Sequence, residues 1–293
     1  MRFDRLGIIG LIEEAKACSA TRIFLRSGSK PLFRIGSVLV ISRFSIMSRG
    51  DGLHVEKMLA RESGALDGST NEVTQNDFVC SMGDSGRVRV SLVRGHDGIA
   101  IELNLIPAEI PSLGSIGLPA GGGIAHCGGS LTLVGGYKRK QVGVALISDY
   151  CKRKASSVVT IESGIEYDLQ VPDSWVVQQS LGREICSVAA GVSSLNGGNV
   201  DLLYIEGLTE RSDTKTVIEL AEQGVDIIVS LKCGAIDSLE SAFMSLVGDC
   251  ILDANRRVES LLGNQYTFGR SKVEATLKQE SPMPAVLSVN RAV

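Results

Sequence analysis

Aromatic residues make up only 4% of this 293-residue chain, histidine occurs three times, and no two of its seven cysteines form a Cys-x-x-Cys pair. The cysteines (Cys18, Cys80, Cys127, Cys151, Cys186, Cys233, Cys250) are scattered singly, and only His54, His96 and His126 could join them. That set lacks both the ligand spacing of a structural zinc site and the clustered, even count of a disulfide framework, so no metal is expected. The cysteines read as reduced thiols in the core of a cytoplasmic protein. Long apolar runs are also missing. Residues 103–136 are the least charged long stretch, but Pro107, Pro111, Pro119 and repeated glycines break it, which excludes a membrane-spanning helix there. Near the start, Arg2, Asp4 and Arg5 precede a short apolar stretch that runs into Glu13 and Glu14, too short and too charged for a secretory signal. Nor is there an excess of either charge: 30 Lys and Arg against 33 Asp and Glu give a net charge of -3. No global attraction to nucleic acid or anionic lipid follows from that balance.

What is present is the composition of a folded protein, 44% hydrophobic and 22% charged. At roughly 100–200 residues per domain, the length suits two domains. The best boundary is the Pro- and Gly-rich stretch between Pro107 and Gly136, with Gly121-Gly122-Gly123, Gly128-Gly129 and Gly135-Gly136. Four segments are therefore expected: a first domain over 1–106, a linker over 107–129, a second domain over 130–263, and a tail over 264–293. The tail loses apolar periodicity, carries Pro282 and Pro284, and reads as loosely ordered or engaged in a contact.

Apolar spacing predicts a helix over 8–17 and a short one over 54–61. Strand-like runs are expected over 21–26, 32–41, 77–81, 87–94 and 99–105, separated by turn residues, so the first domain reads as α+β with an antiparallel meander. After the linker, strands over 130–134, 158–162, 200–206 and 226–231 alternate with helices over 141–152, 183–194, 213–222 and 236–247. Unalternating runs such as Val200-Asp201-Leu202-Leu203-Tyr204-Ile205 belong to a parallel sheet covered on both faces, so the second domain is expected to be α/β.

A chain of motifs then becomes recognisable. Gly86-Arg87-Val88-Arg89-Val90-Ser91, Ile106-Pro107, Ile110-Pro111-Ser112-Leu113 and Gly117-Leu118-Pro119 together resemble the joint between the two domains of type IV pilus retraction (twitching motility, PilT-like) ATPases of the secretion ATPase superfamily. Gly28-Ser29-Lys30-Pro31-Leu32-Phe33-Arg34 is similar to the family's Gly-x-Pro-Pro-x-x-Arg turn. Thr160-Ile161-Glu162-Ser163-Gly164-Ile165-Glu166 is similar to its acidic box, with Ser163 where the family has Asp. The similarity spans residues 8–250. It implies a PAS-like N-terminal domain, a RecA-like C-terminal domain of the P-loop NTPase type, and a six-membered ring.

The resemblance also implies ATP hydrolysis, whose residues are mostly absent. A phosphate loop needs Gly-x-x-x-x-Gly-Lys-Ser/Thr: glycines so that backbone N–H groups wrap the phosphates, Lys to neutralise them, a hydroxyl to hold magnesium. Here Gly135-Gly136-Tyr137-Lys138-Arg139-Lys140-Gln141-Val142-Gly143 follows the strand, a loop shorter by about two residues and without a Gly-Lys-Ser/Thr triplet. Gly135, Gly136, Lys138 and Lys140 are what remains for cofactor binding. Glu206 matches the Walker B carboxylate that would orient the attacking water, and Glu162 an acidic-box position; these are the two candidate catalytic residues. The family's His box corresponds to Ser230-Leu231-Lys232-Cys233-Gly234, which has Lys232 and no His. Arg87, Arg89 and Arg94 fall where family members send arginines toward a neighbour's nucleotide.

Plainer readings stand beside these. Glu162 and Glu206 are also ordinary carboxylates at the C-terminal edge of an α/β sheet, the Lys138-Arg139-Lys140 cluster a solvated basic surface, and the three arginines solvent-facing strand residues. A cationic cluster at a helix start opposes the helix dipole and gains from an anion or an acidic partner. The leading functional expectation is a PilT-like pseudo-ATPase, a structural or regulatory part of a pilus or secretion machine, without cofactor, forming a homo-oligomer or a mixed ring with an active relative. The alternative is a divergent motor ATPase that still uses ATP and magnesium.

Overall fold

The apolar stripe near the start becomes helix α1 (Arg5–Ala17), which buries Ile8, Leu11, Ile12 and Ala15 on one face. Asp4 caps it, its Oδ1 accepting the Gly7 N–H at 2.9 Å, so a donor that would otherwise lack a partner is satisfied. This computed structural model describes residues 3–70, 72–118, 123–124, 126–136, 138–193, 200–208, 211–232, 236–247, 262–268, 272–277 and 285–290. The chain divides into two units, Met1–Glu109 and Ile110–Val293.

In the first unit, β1 (Arg22–Arg26), β2 (Leu32–Ile35), β3 (Val38–Ile41), β4 (Asp77–Ser81), β5 (Arg87–Gly95) and β6 (Gly98–Leu105) form one antiparallel sheet in the order β3-β2-β1-β6-β5-β4. Burial alternates along β5 and β6, so one face of the sheet meets α1 and helix α2 (Arg49–Ser63). The shared core includes Ile12, Ile23, Leu59, Val90 and Leu103, each fully buried and worth about 1.5–3 kcal/mol in removed apolar surface. Helix α2 starts on a capping box, Ser48 with Asp51, and ends on Gly64 in the left-handed conformation. The run expected as one strand over 32–41 is broken in two. Gly36, at φ 58°, turns the chain back so that β2 and β3 form a tight hairpin.

The second unit carries β7 (Leu131–Gly136), α3 (Arg139–Arg153), β8 (Ser157–Glu162), β9 (Trp175–Ser180), α4 (Val188–Ser193), β10 (Leu202–Glu206), α5 (Arg211–Glu222), β11 (Asp226–Leu231), α6 (Ile236–Val247), β12 (Leu262–Phe268), β13 (Lys272–Leu277) and β14 (Ala285–Asn290). They build an eight-stranded sheet in the order β14-β13-β12-β7-β11-β10-β8-β9, parallel from β12 to β9. Strands β10 and β11 are buried along their whole length, as their unalternating sequences require.

Three expectations are corrected. Residues 264–293, read as an aperiodic tail that is loosely ordered or engaged in a contact, instead supply, among those described, most of β12 and all of β13 and β14, because β12 finds a parallel partner in β7 that no local pattern announces. Of the expected 183–194 helix, 188–193 is helical and 183–187 is not, since the Ser180 carbonyl accepts the N–H groups of Arg183, Glu184 and Ile185 in turns; residue 194 lies outside the described residues. Cysteine burial is mixed: Cys80 and Cys151 are buried, whereas Cys18, Cys127 and Cys186 are exposed, lying at a helix end or in loops. Cys233 and Cys250 lie outside the described residues.

At the N-terminal edge of the parallel strands, one buried carboxylate ties the unit together. Asp226 Oδ1 accepts the Gly129 N–H at 3.1 Å, the Ser130 N–H at 3.0 Å and the Ser130 hydroxyl at 2.8 Å, and Oδ2 accepts the Tyr150 hydroxyl at 2.8 Å. The end of the glycine-rich connector is thereby fixed to β11 and α3 through charge-assisted bonds.

Candidate functional site

The opposite, C-terminal edge collects the residues singled out from the sequence. Glu206 ends β10, Glu162 ends β8, and the loop after β7 delivers Lys138 and the first turn of α3 beside them. Gly135 and Gly136 form the last residues of β7 rather than the start of a loop, and Gly136, at φ 92°, makes the turn out of the strand.

Lys140 decides the character of the site. Its Nζ lies 2.8 Å from Glu206 Oε1, 3.3 Å from Glu166 Oε1 and 3.2 Å from Ser163 Oγ. Its side chain is 14% exposed and that of Glu206 2%. The expectation of a solvated basic cluster therefore fails for Lys140, because Glu206 and Glu166 draw it inward. The other Glu206 oxygen accepts the Ser163 N–H at 3.1 Å and the Ser163 hydroxyl at 3.0 Å, and Arg139 stands 3.9 Å from Glu206. Cations in the first turn of a helix oppose its dipole, and here the two carboxylates offset that repulsion from within the chain. Lys138, the N-cap of α3, makes no side-chain capping bond.

Glu162 belongs to a second, adjoining network. Its Oε1 accepts the Thr160 hydroxyl at 2.6 Å and the Gln178 amide at 3.0 Å. Burial pushes its pKa up to about 7, the two hydrogen bonds opposing the shift and the nearby Glu206 and Glu166 charges adding to it. Gln178 also donates to the Tyr167 carbonyl at 3.0 Å and accepts the Leu169 N–H at 2.8 Å, holding the acidic-box loop in place. Beneath the site, α3 approaches β10 closely: a Cβ on Gly143 would lie 2.6 Å from a ring carbon of Tyr204. Burial raises the Tyr204 phenol far above its ordinary range, so it stays neutral.

Glu206, Glu162, Lys140 and the end of β7 thus share one edge. Arg87, Arg89 and Arg94 lie in the first unit. Arg89 pairs with Asp77 at 2.6 Å and its side chain is only 17% exposed, while Arg94 pairs with the buried Glu56 and donates to Asn76 at 3.1 Å. Lys232 is exposed just after β11, and Cys233 and Gly234 of the His-box position lie outside the described residues. Sequence reading did not assign roles to Ser163, Glu166 and Gln178. The first two sat inside the acidic-box motif, where the Ser163 substitution itself was the signal. Gln178 lies on β9, a strand no expectation covered.

The donor set does not fit a magnesium-bound nucleotide phosphate. Lys140, in the first turn of α3, is bonded to two carboxylates, and the first residues of that helix, Arg139, Lys140 and Gln141, offer no hydroxyl for a metal. Among the described residues, no group of three or more His, Cys, Asp or Glu side chains could hold a metal ion, and no helix is long and apolar enough to cross a membrane.

No protein-family profile and no curated protein matches the sequence. Solved structures do match the fold. The pilus retraction motor PilT with bound ADP superposes with a TM-score of 0.74 at 19% identity, covering 98% of this chain and 83% of that one. The ATPase DotB of Legionella pneumophila gives 0.72 at 17% identity, with 98% and 81% covered. DotB of Yersinia pseudotuberculosis gives 0.67 at 14% identity, with 98% and 79% covered. Together with the motif order, the helix-backed antiparallel sheet and the parallel sheet that follows it, these likenesses establish that the chain has the two-domain fold of the PilT-like secretion ATPases, a PAS-like unit followed by a RecA-like one.

Proposed function

We propose that this chain is a PilT-like pseudo-ATPase, a cytoplasmic structural or regulatory component of a type IV pilus or secretion machine that acts by assembly rather than by hydrolysis. The observation that supports this reading is the Lys140 ammonium closed against Glu206, Glu166 and Ser163. In a working phosphate site the lysine charge stabilises the phosphoryl group and the Walker B carboxylate stays available to water; here each neutralises the other. The scaffold that would let the chain join a ring of its own copies, or a mixed ring with an active relative, does not depend on that chemistry.

The test is phosphate release from the purified chain with ATP and magnesium, run beside Glu206→Gln. Losing one transition-state contact costs on the order of 100- to 1,000-fold in rate, so with the loop hydroxyl and the His-box histidine both absent from the sequence, turnover is expected at background and the same in both proteins. Turnover above background that vanishes in Glu206→Gln would overturn the proposal and establish a divergent motor ATPase.

A further inference from the structure

Strand β3 is the outer strand of the first sheet: it pairs with β2 on one side and with no strand on the other among the described residues. Its sequence is Val38-Leu39-Val40-Ile41, and all four side chains are exposed, between 41% for Val40 and 65% for Ile41. Sheet edges are ordinarily protected by a charge, a proline, a bulge or a covering element. This one has an unbroken register and no polar side chain.

The hydrogen-bond phase shows which backbone groups are presented. The Ser42 N–H donates to the Pro31 carbonyl at 2.9 Å, so Phe33 and Val40 form the next hydrogen-bonded pair, and the N–H and C=O groups of Leu39 and Ile41 point away from β2. Side chains alternate across the sheet. Val40 lies opposite the buried Phe33 on the helix-covered face, whereas Leu39 lies opposite Arg34, and Ile41 continues a row through Leu32 to Phe24 on the outer face. The edge therefore offers two outward-facing residues' worth of backbone bonding with apolar surface both above and below it.

The segment that carries this edge is basic. From Ala15 to Gly50 the sequence has seven basic residues and no Asp or Glu. Lys16, Arg22 and Arg26 find carboxylates outside that stretch, in Glu13, Glu102 and Asp97. Lys30, Arg34 and Arg43 have no ion-pair partner among the described residues; Arg34 donates to the Ser37 carbonyl and lies 5.9 Å over the Phe24 ring. Lys30 and Arg43 flank the open end of the hairpin, beside the Pro31–Ser42 bond, and Arg34 lies across from Leu39.

We infer that β3 is a docking edge for an extended, acidic segment of a partner protein, which adds as a strand beside Leu39 and Ile41, covers the apolar side chains on both faces and sets carboxylates against Lys30, Arg34 and Arg43. Pairing of β3 with the same strand of a second copy is disfavoured, because it brings two sets of the same cations together. A membrane covers one face only, and in hydrocarbon the outward backbone groups would lose their hydrogen bonds.

The experiment uses the full chain and a fluorescein-labelled peptide of alternating valine and glutamate, followed by anisotropy without nucleotide, so that its outcome is separate from that of the hydrolysis assay. The proposal expects saturable binding that weakens about tenfold or more in Leu39→Pro and in Arg34→Glu/Arg43→Glu, and no binding of the same peptide with lysine for glutamate. Proline at 39 removes only an outward N–H and is compatible with an edge strand. Ile41→Lys serves as a second blocking variant, and circular dichroism melts identify which of the variants remain folded. No binding at about 1 mM peptide, equal binding of the lysine peptide, or binding unchanged in the folded edge variants would overturn the proposal. So would edge-dependent capture by phosphatidylserine vesicles, or an edge-dependent dimer that the acidic peptide does not displace.

Discussion

Replacing Lys140 with methionine keeps the stem and removes the charge, and the structure fixes both the sign and the size of the effect. At an effective dielectric near 20, charges 2.8 Å apart attract by roughly 6 kcal/mol, a gross figure from which the desolvation of both groups must be subtracted. Breaking a buried pair by removing one partner costs about 3–5 kcal/mol in general. Glu206 keeps the two Ser163 donors and Arg139 at 3.9 Å, which places this case at the lower end, about 3 kcal/mol. For a unit of this size that corresponds to a drop of roughly 6–12 °C in melting temperature. The assay is thermal unfolding of Lys140→Met, Glu206→Gln and the double variant, with the cycle expected to return a coupling of about 2 kcal/mol. A lysine kept for phosphate should behave in the opposite way, since binding sites hold their charges at a cost to the fold and removing one is neutral or stabilising without ligand. A Lys140→Met protein melting at or above the parent temperature, or additive single variants, would refute the ion-pair argument.

Two further outcomes follow. Glu162 is raised to about 7 in the fold from an unfolded value of 4.5, so its contribution to stability is fully present below the unfolded value and is lost as pH rises through about 7. Melting of Glu162→Gln should lack that decline between pH 5 and 7.5, and identical pH profiles for variant and parent would show that Glu162 is not the source. Gly143→Ala improves helix propensity by about 1 kcal/mol, yet its methyl would meet the Tyr204 ring at 2.6 Å; overpacking of about 1–3 kcal/mol should leave a net loss in denaturant titration, partly recovered by Tyr204→Leu.

How much of this was legible depended on whether the signal was local. Strands β8, β10 and β11 are largely apolar, unalternating runs and could be read directly, as could the α1 stripe and the Gly-rich connector. The β2–β3 hairpin is hard to read because both arms are strand-like and only Gly36-Ser37 separates them, and β9 because its second half, Gln178-Gln179-Ser180, looks like a loop. The closing strands are stabilised by pairing with β7, a partner far away in sequence. At the site, Glu206 and Lys140 were visible as remnants of motifs, but their bond was not, since spacing cannot say that a shortened loop brings its lysine onto a strand-end carboxylate. The cysteines misled for a related reason: scattered thiols are usually core residues, yet Cys18, Cys127 and Cys186 occupy helix-end and loop positions whose exposure is set by the surrounding backbone.

The position of β7 has a consequence for biosynthesis. It is the first strand of its sheet in the chain, yet it is flanked by β11 and by β12, which begins at Leu262. Until residues 262–268 have emerged from the ribosome, β7 has an uncovered edge within an apolar layer, whereas the first unit has all six of its strands by Leu105. The nascent chain should therefore fold in two stages, with an aggregation-sensitive interval between them that a truncation before Leu262 would make permanent.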